Sequence, residues 1–384
     1  MSKGSTKSTN LNNINEDVNN SNIPDLDTTG FFCSQPFTNL EVDTRGEVRT
    51  CCAYWMNQSL GNITVYDIEE VLNSKVAQDI RSSILDGSFS YCNKKTCPRI
   101  QSLQHGGDGI LQKIEDVKDP TMLDIIQNKK TTIDSIKYVN FLWDLSCNLR
   151  CPSCRVQTIL NTKGESYENN LRIQNKILDY VLPPDEDVVF NITGSGDPFA
   201  SKVFRDFLVN FDGQKHSNVV INLQTNGVMF NEKMWDRMSK CHENIHTVLV
   251  SIDAATEQTY DKIRVGGNWD ILMKNIEMLD ELKRCGEIER LRLDFVVQRQ
   301  NYKEMPQAID LANSLFGVDG MYFSIITDWG TWPRDEYKWH AVWMEDNEEH
   351  SDFLRVLDND IFEDKKVELG NVHHYYKTAR NTDD

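Results

Sequence analysis

The chain has 384 residues, 39% hydrophobic and 26% charged, enough to bury a full core and, at that length, to form two folded units. Its formal net charge of −18, with no long run of Lys or Arg, would repel a phosphate backbone and argues against nucleic acid as a substrate. No apolar stretch approaches the ~20 residues a membrane-spanning helix needs, and the polar start MSKGSTKSTN lacks the apolar core of a secretory signal, so the expected location is the cytoplasm. Thiols stay reduced there, and the ten cysteines point to metal ligation or redox chemistry rather than disulfides.

Residues 1–28 are rich in Asn, Ser, Asp and Thr and almost free of aromatics, so burial cannot offset the entropy of ordering them; they read as a disordered tail. Between 29 and 100, the short alternating runs Leu40-Glu41-Val42 and Glu47-Val48-Arg49 precede an amphipathic stretch from Ile68 to Leu85, which predicts a small Cys-bearing α+β module. Residues 101–135, with Gly106-Gly107 near their start and a predicted helix over 122–128, form a connector.

From 136 to 330, short Val/Ile/Leu/Phe runs alternate with longer amphipathic segments, the mark of parallel β/α units. Strands are predicted over 138–145, 188–194, 219–225, 247–253, 291–298 and 320–326, with helices over 201–211, 257–283 and 303–315. These units are too few to close an eight-stranded barrel. The expected fold is therefore α/β, a partial (β/α)6 barrel or open parallel sheet with a small α+β Cys-rich N-terminal module, and its chemistry should lie at the carboxyl ends of the strands. Residues 331–384, rich in Trp, Asp, Glu and His without a clear period, are expected to form a partly ordered acidic extension.

The loop Cys147-Asn148-Leu149-Arg150-Cys151-Pro152-Ser153-Cys154 follows the first of these strands and places three thiolates together at the mouth of the sheet. Soft thiolates suit iron–sulfur clusters or zinc, and a four-iron cubane held by three of them keeps one iron open to bind and reduce a ligand. A zinc site completed by a distant His or Cys is the alternative. Arg150 and Arg155 would offset the negative charge of thiolates and cluster. At the end of the second strand, Gly194-Ser195-Gly196-Asp197-Pro198 is either a turn that offers backbone groups and an acid to an ammonium or an ordinary strand-to-helix turn. Gln224-Thr225-Asn226-Gly227 offers hydroxyl and amide groups above the third strand. In Ser251-Ile252-Asp253 the strand period of two places Ser251 and Asp253 on one face, toward the presumed cavity. Cys33, Cys51, Cys92 and Cys97 make four further thiolates, enough for a cubane or a tetrahedral zinc, with Cys52 competing for the place of Cys51. Cys241 and Cys285 lack ligand spacing and read as idle thiols.

Taken in order, the cysteine loop and the strand-end motifs resemble the radical S-adenosylmethionine superfamily over roughly residues 138–328. The resemblance implies a [4Fe–4S] cluster on Cys147, Cys151 and Cys154 with S-adenosylmethionine at its open iron. It implies that Gly194, Ser195, Gly196 and Asp197 hold the methionyl amino group, where the family carries Gly-Gly-Glu-Pro. Thr225, Asn226, Ser251 and Asp253 join them as cofactor-binding candidates, and Arg264, in the stretch Tyr260-Asp261-Lys262-Ile263-Arg264, is a candidate for the cofactor's carboxylate. Ser153 stands where the family usually has an aromatic residue against the adenine. Cys33, Gly46, Cys51, Gly61-Asn62 and the later cysteine pair resemble the twitch or SPASM auxiliary-cluster modules, here ahead of the barrel rather than behind it. That resemblance implies a second [4Fe–4S] cluster on Cys33, Cys51, Cys92 and Cys97, with structural zinc as the alternative.

The family's chemistry implies an external one-electron reductant of flavodoxin or ferredoxin type, reductive cleavage of S-adenosylmethionine to a 5′-deoxyadenosyl radical, and hydrogen abstraction from a substrate over the strand ends. Relatives with such modules modify ribosomal peptides or oxidise small alcohols, so the expected substrate is a peptide or protein. A small-molecule or sugar dehydrogenase is the second reading, and a zinc-stabilised, non-catalytic binding protein is the reading from another class. Trp329, Trp332, Trp339 and Trp343 are candidates for a substrate groove. No catalytic acid or base is legible.

Overall fold

The computed structural model describes residues 26–105, 109–183, 186–192 and 195–380; residues 1–25 of the expected tail, Gly106, Gly107 and Gly194 lie outside them. Two compact units make up the chain, 1–143 with 169–188, and 144–168 with 189–384.

The first unit holds β1 (Phe31–Cys33), β2 (Asn39–Val42), β3 (Glu47–Arg49), β4 (Gly61–Asn62), β5 (Leu111–Lys113) and β6 (Tyr138–Phe141). β1 and β5 pair antiparallel, and a second sheet runs in the order β6-β2-β3-β4. β2 and β3 form a hairpin because Asp43 closes the turn, its Oδ1 accepting the N–H of Arg45 at 2.8 Å and of Glu47 at 3.1 Å. Gly46 supplies the φ of 82° that the turn requires. β2 lies parallel to β6, with Asn39 opposite Tyr138 and Val42 opposite Phe141. The helix predicted from 68 to 85 is two, 68–72 and 75–85, because Ser74 caps a new start by accepting the Ala77 N–H.

In the second unit, β7 (Val188–Ile192), β8 (Val219–Thr225), β9 (Ile245–Ser251), β10 (Arg290–Val297), β11 (Gly320–Ile325) and β12 (Val367–Glu368) lie side by side in chain order. The pairs from β8 to β12 are parallel. Helices 232–237, 269–284 and 305–314 lie in the crossovers that parallel pairing from β8 to β11 demands. This is the mixed α/β architecture with a parallel sheet that a partial barrel requires, and its carboxyl edge carries the loops of interest. Of the six expected strands, β7 to β11 belong here, while the first, β6, packs in the first unit. The helix predicted over 257–283 is interrupted: Gly266 takes a φ of 92°, and the Asn268 side chain caps the second piece at the Ile271 N–H, 2.8 Å away. Among the described residues no helix is long and apolar enough to cross a membrane.

The segment after 331 departs from the expectation of a partly ordered extension. It folds into helices 334–340, 350–357 and 373–380 with β12 between them, and buries Tyr337, Phe353, Leu357 and Val372. These helices are only seven or eight residues long, too short for their apolar positions to register as a period against the surrounding acids.

His340, at the end of the first of them, is 4% exposed and stacks on Trp332 at 4.0 Å. Burial, assisted by the Arg299 guanidinium, pushes its imidazole from 6.5 down to about 4. The unfolded chain therefore binds the extra proton first, and this residue's contribution to stability, complete above pH 6.5, is lost as pH falls toward 4. Denaturant midpoints are expected to drop less steeply over that window in His340→Gln than in the wild type; parallel slopes would refute the assignment.

Candidate active site and auxiliary metal centre

The three-cysteine loop is pinned by its own backbone. The Cys147 N–H donates to Ile159 O at 2.8 Å, the N–H groups of Cys154 and Arg155 donate to Cys151 O at 2.9 and 3.0 Å, and the Arg150 N–H donates to Val265 O at 2.8 Å. Cys147 and Cys151 are buried and Cys154 is exposed. Each sulfur meets its own donors. The Cys147 Sγ accepts the Leu149 N–H at 3.4 Å and Asn226 Nδ2 at 3.8 Å, the Cys151 Sγ accepts Arg264 Nη1 at 3.8 Å, and the Cys154 Sγ accepts Arg155 Nη2 at 3.4 Å. Arg155 is held in turn by Leu145 O at 2.7 Å and Ser195 O at 2.9 Å. Burial, with Asp197 nearby, pushes the Cys147 thiol up to about 11. Burial raises the Cys151 thiol as well, against the pull of Arg264.

Asp197 is buried and fully engaged. Its Oδ1 accepts the N–H groups of Phe199 at 3.0 Å and Ala200 at 3.3 Å, and its Oδ2 accepts Thr225 Oγ1 and the Asn226 N–H, both at 2.8 Å. Burial pushes this carboxyl above the usual carboxylate range while the four donors pull it back. Asp197 thus joins the loops after β7 and β8 instead of projecting outward. Thr225 and Asn226, expected to offer groups above the sheet, are likewise turned inward and buried, with Asn226 Nδ2 also donating to Asn148 Oδ1 at 2.9 Å. Gly196 runs so close to the cysteine loop that a Cβ would lie 2.4 Å from Ser146 O, so only glycine fits.

Ser251 ends β9, and Asp253 does not share its strand face as expected. Asp253 lies past the strand at a φ of 53°, where alternation no longer sets direction. Its Oδ1 accepts the Val296 N–H at 2.8 Å and its Oδ2 pairs with Arg264 Nη2 at 2.7 Å. Arg264 Nε is buried without a partner.

Sequence reasoning missed Asp144. Fully buried, it accepts the Ser146 N–H at 3.0 Å, Ser146 Oγ at 2.9 Å, Asn161 Nδ2 at 3.0 Å and Ser201 Oγ at 2.6 Å, tying the start of the cysteine loop to the cap of helix 202–210. The only local signal was Asp-Leu-Ser just ahead of Cys147.

In the first unit, Cys33, Cys51, Cys92 and Cys97 line one recess together with Trp55, Phe89 and Arg99. Cys33 ends β1, Cys51 follows β3, and Cys97 caps helix 98–101. Cys52 is absent from the lining; its carbonyl accepts the N–H groups of Trp55 and Met56. Burial raises the Cys33 and Cys51 thiols and pushes Cys92 up to about 12. Elsewhere, Cys241 is buried and donates to Leu208 O and Met238 O, each at 3.2 Å, while Cys285 is exposed.

Three thiols on a strand-end loop and four in a second recess are soft donors of the kind that iron–sulfur clusters and zinc use. Residues 145–312 match the radical SAM superfamily, and residues 33–98 match SPASM, an iron–sulfur cluster-binding domain. The chain carries a radical SAM domain with a SPASM domain ahead of it, and the two domains imply [4Fe–4S] clusters and S-adenosylmethionine as cofactors. A comparison with curated proteins finds no match. Among solved structures it is similar to TYW1 with a lysine–pyruvate adduct bound, at 17% identity over 60% of this chain and 71% of that one, with a TM-score of 0.36. It is similar to the radical S-adenosylmethionine methyltransferase TsrM from Kitasatospora setae with cobalamin and a [4Fe–4S] cluster bound, at 14% identity over 47% of this chain and 35% of that one, with a TM-score of 0.33. It is also similar to anSMEcpe with bound AdoMet, at 18% identity over 62% of this chain and 64% of that one, with a TM-score of 0.36.

Proposed function

We propose that this radical SAM enzyme modifies a peptide or protein, with one [4Fe–4S] cluster on Cys147, Cys151 and Cys154 and an auxiliary one on Cys33, Cys51, Cys92 and Cys97. The observation that carries the ligand sets is the grouping of soft donors: three sulfurs on one pinned loop, each with its own N–H donor, and four lining one recess. In this reading residues 29–100 form the auxiliary module, 101–135 the connector, 136–330 the partial barrel and 331–384 the extension, and the enzyme works in the cytoplasm.

When bound, the cluster and S-adenosylmethionine supply reductive C–S cleavage and a 5′-deoxyadenosyl radical, the electron coming from a flavodoxin- or ferredoxin-type donor. The chain's own residues orient the cofactor. Arg264, whose Nε is buried without a partner, takes the carboxylate, and the turn at Ser195 and Gly196 takes the amino group through its main chain. Asp197 and Thr225 hold that turn and Asn226 in place. Ser251 borders the cofactor at the end of β9.

A chain-like substrate is favoured by aromatic surface on the segments beyond β11, where Trp329 is 53% and Trp339 47% exposed. Arg299, just past β10, lies 4.3 Å over the Trp339 ring and binds Trp339 O. Trp332 stacks on His340, and Trp343 is buried and contributes no groove surface.

The test is 5′-deoxyadenosine formation by anaerobically reconstituted, reduced enzyme. Peptide mixtures are expected to accelerate it and small alcohols or sugars are not; the reverse would favour a dehydrogenase, and none at all with zinc in the sites would favour a binding protein. Cys51→Ala is expected to lose the auxiliary iron and Cys52→Ala to retain it, since only Cys51 lines the recess. Equal losses would defeat that assignment.

A further inference from the structure

We infer that Asp253 and Arg264 form a buried, opposed-charge positioning pair that sets how readily the cluster on Cys151 accepts its electron. The inference rests on the proposed ligation by Cys147, Cys151 and Cys154.

The pair is built into two elements at once. Asp253 sits just beyond β9 in the left-handed region at a φ of 53°, a conformation that disfavours any residue with a Cβ and that Asp tolerates better than most. One backbone and one side-chain donor hold it there: the Val296 N–H donates to its Oδ1 and the Asn301 side-chain Nδ2 donates to its main-chain oxygen, both at 2.8 Å. The remaining oxygen meets Arg264 Nη2 at 2.7 Å, with the two side chains only 9% and 11% exposed. Arg264 Nη1 then reaches Cys151 Sγ at 3.8 Å, and the next residue, Val265, accepts the Arg150 N–H from the cysteine loop at 2.8 Å. The guanidinium is therefore held between a fixed carboxylate and one sulfur.

Reduction adds one electron and no proton to a thiolate-ligated cluster, so any positive charge or N–H donor at a ligand sulfur stabilises the reduced form, and any nearby negative charge opposes it. Low exposure keeps both effects from being screened. Arg264 and Asp253 should thus act with opposite sign. A carboxylate that merely anchored the loop would not show that pattern.

The experiment is an EPR-monitored redox titration, with dithionite as the electron source and without S-adenosylmethionine, on reconstituted full-length wild type, Arg264→Met, Arg264→Lys and Asp253→Asn. The signal followed is the one absent from a Cys147/Cys151/Cys154→Ala control. The midpoint is expected to move to more negative potential in Arg264→Met, to lie between that value and wild type in Arg264→Lys, and to move to more positive potential in Asp253→Asn, which leaves the guanidinium charge unopposed. Shifts in the same direction, or none, in variants that load iron normally overturn the inference while leaving the ligation standing. Failure of both Arg264→Lys and Asp253→Asn to load the cluster overturns it in favour of a purely structural clasp. If the control keeps all its iron, the ligation itself is wrong and the inference falls with it.

Discussion

A Cys147/Cys151/Cys154→Ala variant, reconstituted without oxygen, is expected to hold about four irons where the wild type holds about eight, the complement of two cubanes, and to make no 5′-deoxyadenosine after reduction. The expected half follows from the two thiol sets sharing no cysteine, one on the loop after β6 and one in a recess lined by Cys33, Cys51, Cys92 and Cys97. The loop should survive the change. Its hydrogen bonds to Ile159 O, Val265 O and Cys151 O are made by backbone N–H groups, which alanine retains. Iron loss without unfolding is thus the expected phenotype, and circular dichroism of the variant separates the two. Full retention of iron with lost activity would move the cluster elsewhere.

Asp197→Ala is expected to cost about 3–5 kcal/mol of stability, because it strips four donors of their acceptor inside a buried site. Thr225 Oγ1 and the N–H groups of Asn226, Phe199 and Ala200 all converge on this carboxylate. Asp197→Asn should cost about 1–2 kcal/mol, since the amide still accepts on one side but turns a donor toward the Asn226 N–H. Anaerobic denaturant titration of the iron-loaded protein measures both. If Asp197 instead grips the cofactor's ammonium directly, Asp197→Asn would weaken S-adenosylmethionine binding and leave the denaturant midpoint in place.

Much of this was readable from residue order, for reasons that differ by element. β8 alternates buried and half-buried residues along its whole length, so its period shows directly in Val219-Val220-Ile221-Asn222-Leu223. The cysteine loop is legible because its three cysteines are a few residues apart on one strand-to-helix connection. Groupings that depend on distant partners were hidden. Asp144 needs Ser201, 57 residues away, and the pairing of β2 with β6 joins residues about a hundred positions apart. Asp253 misled because a two-residue period was extended past the end of β9, where one left-handed residue redirects the side chain. The short helices after 331 misled for the opposite reason, too few turns to display a period.

The strand-end loops of the second unit are joined to one another rather than standing side by side. The turn at Gly196 is hard against Ser146 O, Asp197 ties it to Asn226, Asn226 reaches Asn148, and Val265 holds Arg150. Energetically this makes them one mechanical part. Substitutions in two different loops, such as Asn148→Ala with Asn226→Ala, should depart from additivity by about 0.5–3 kcal/mol in a double-mutant cycle, where independent loops would show almost none. Any variation that re-shapes the mouth of the sheet for a new substrate must then arrive as compensated sets of changes, whereas the exposed Trp329 should tolerate change by itself.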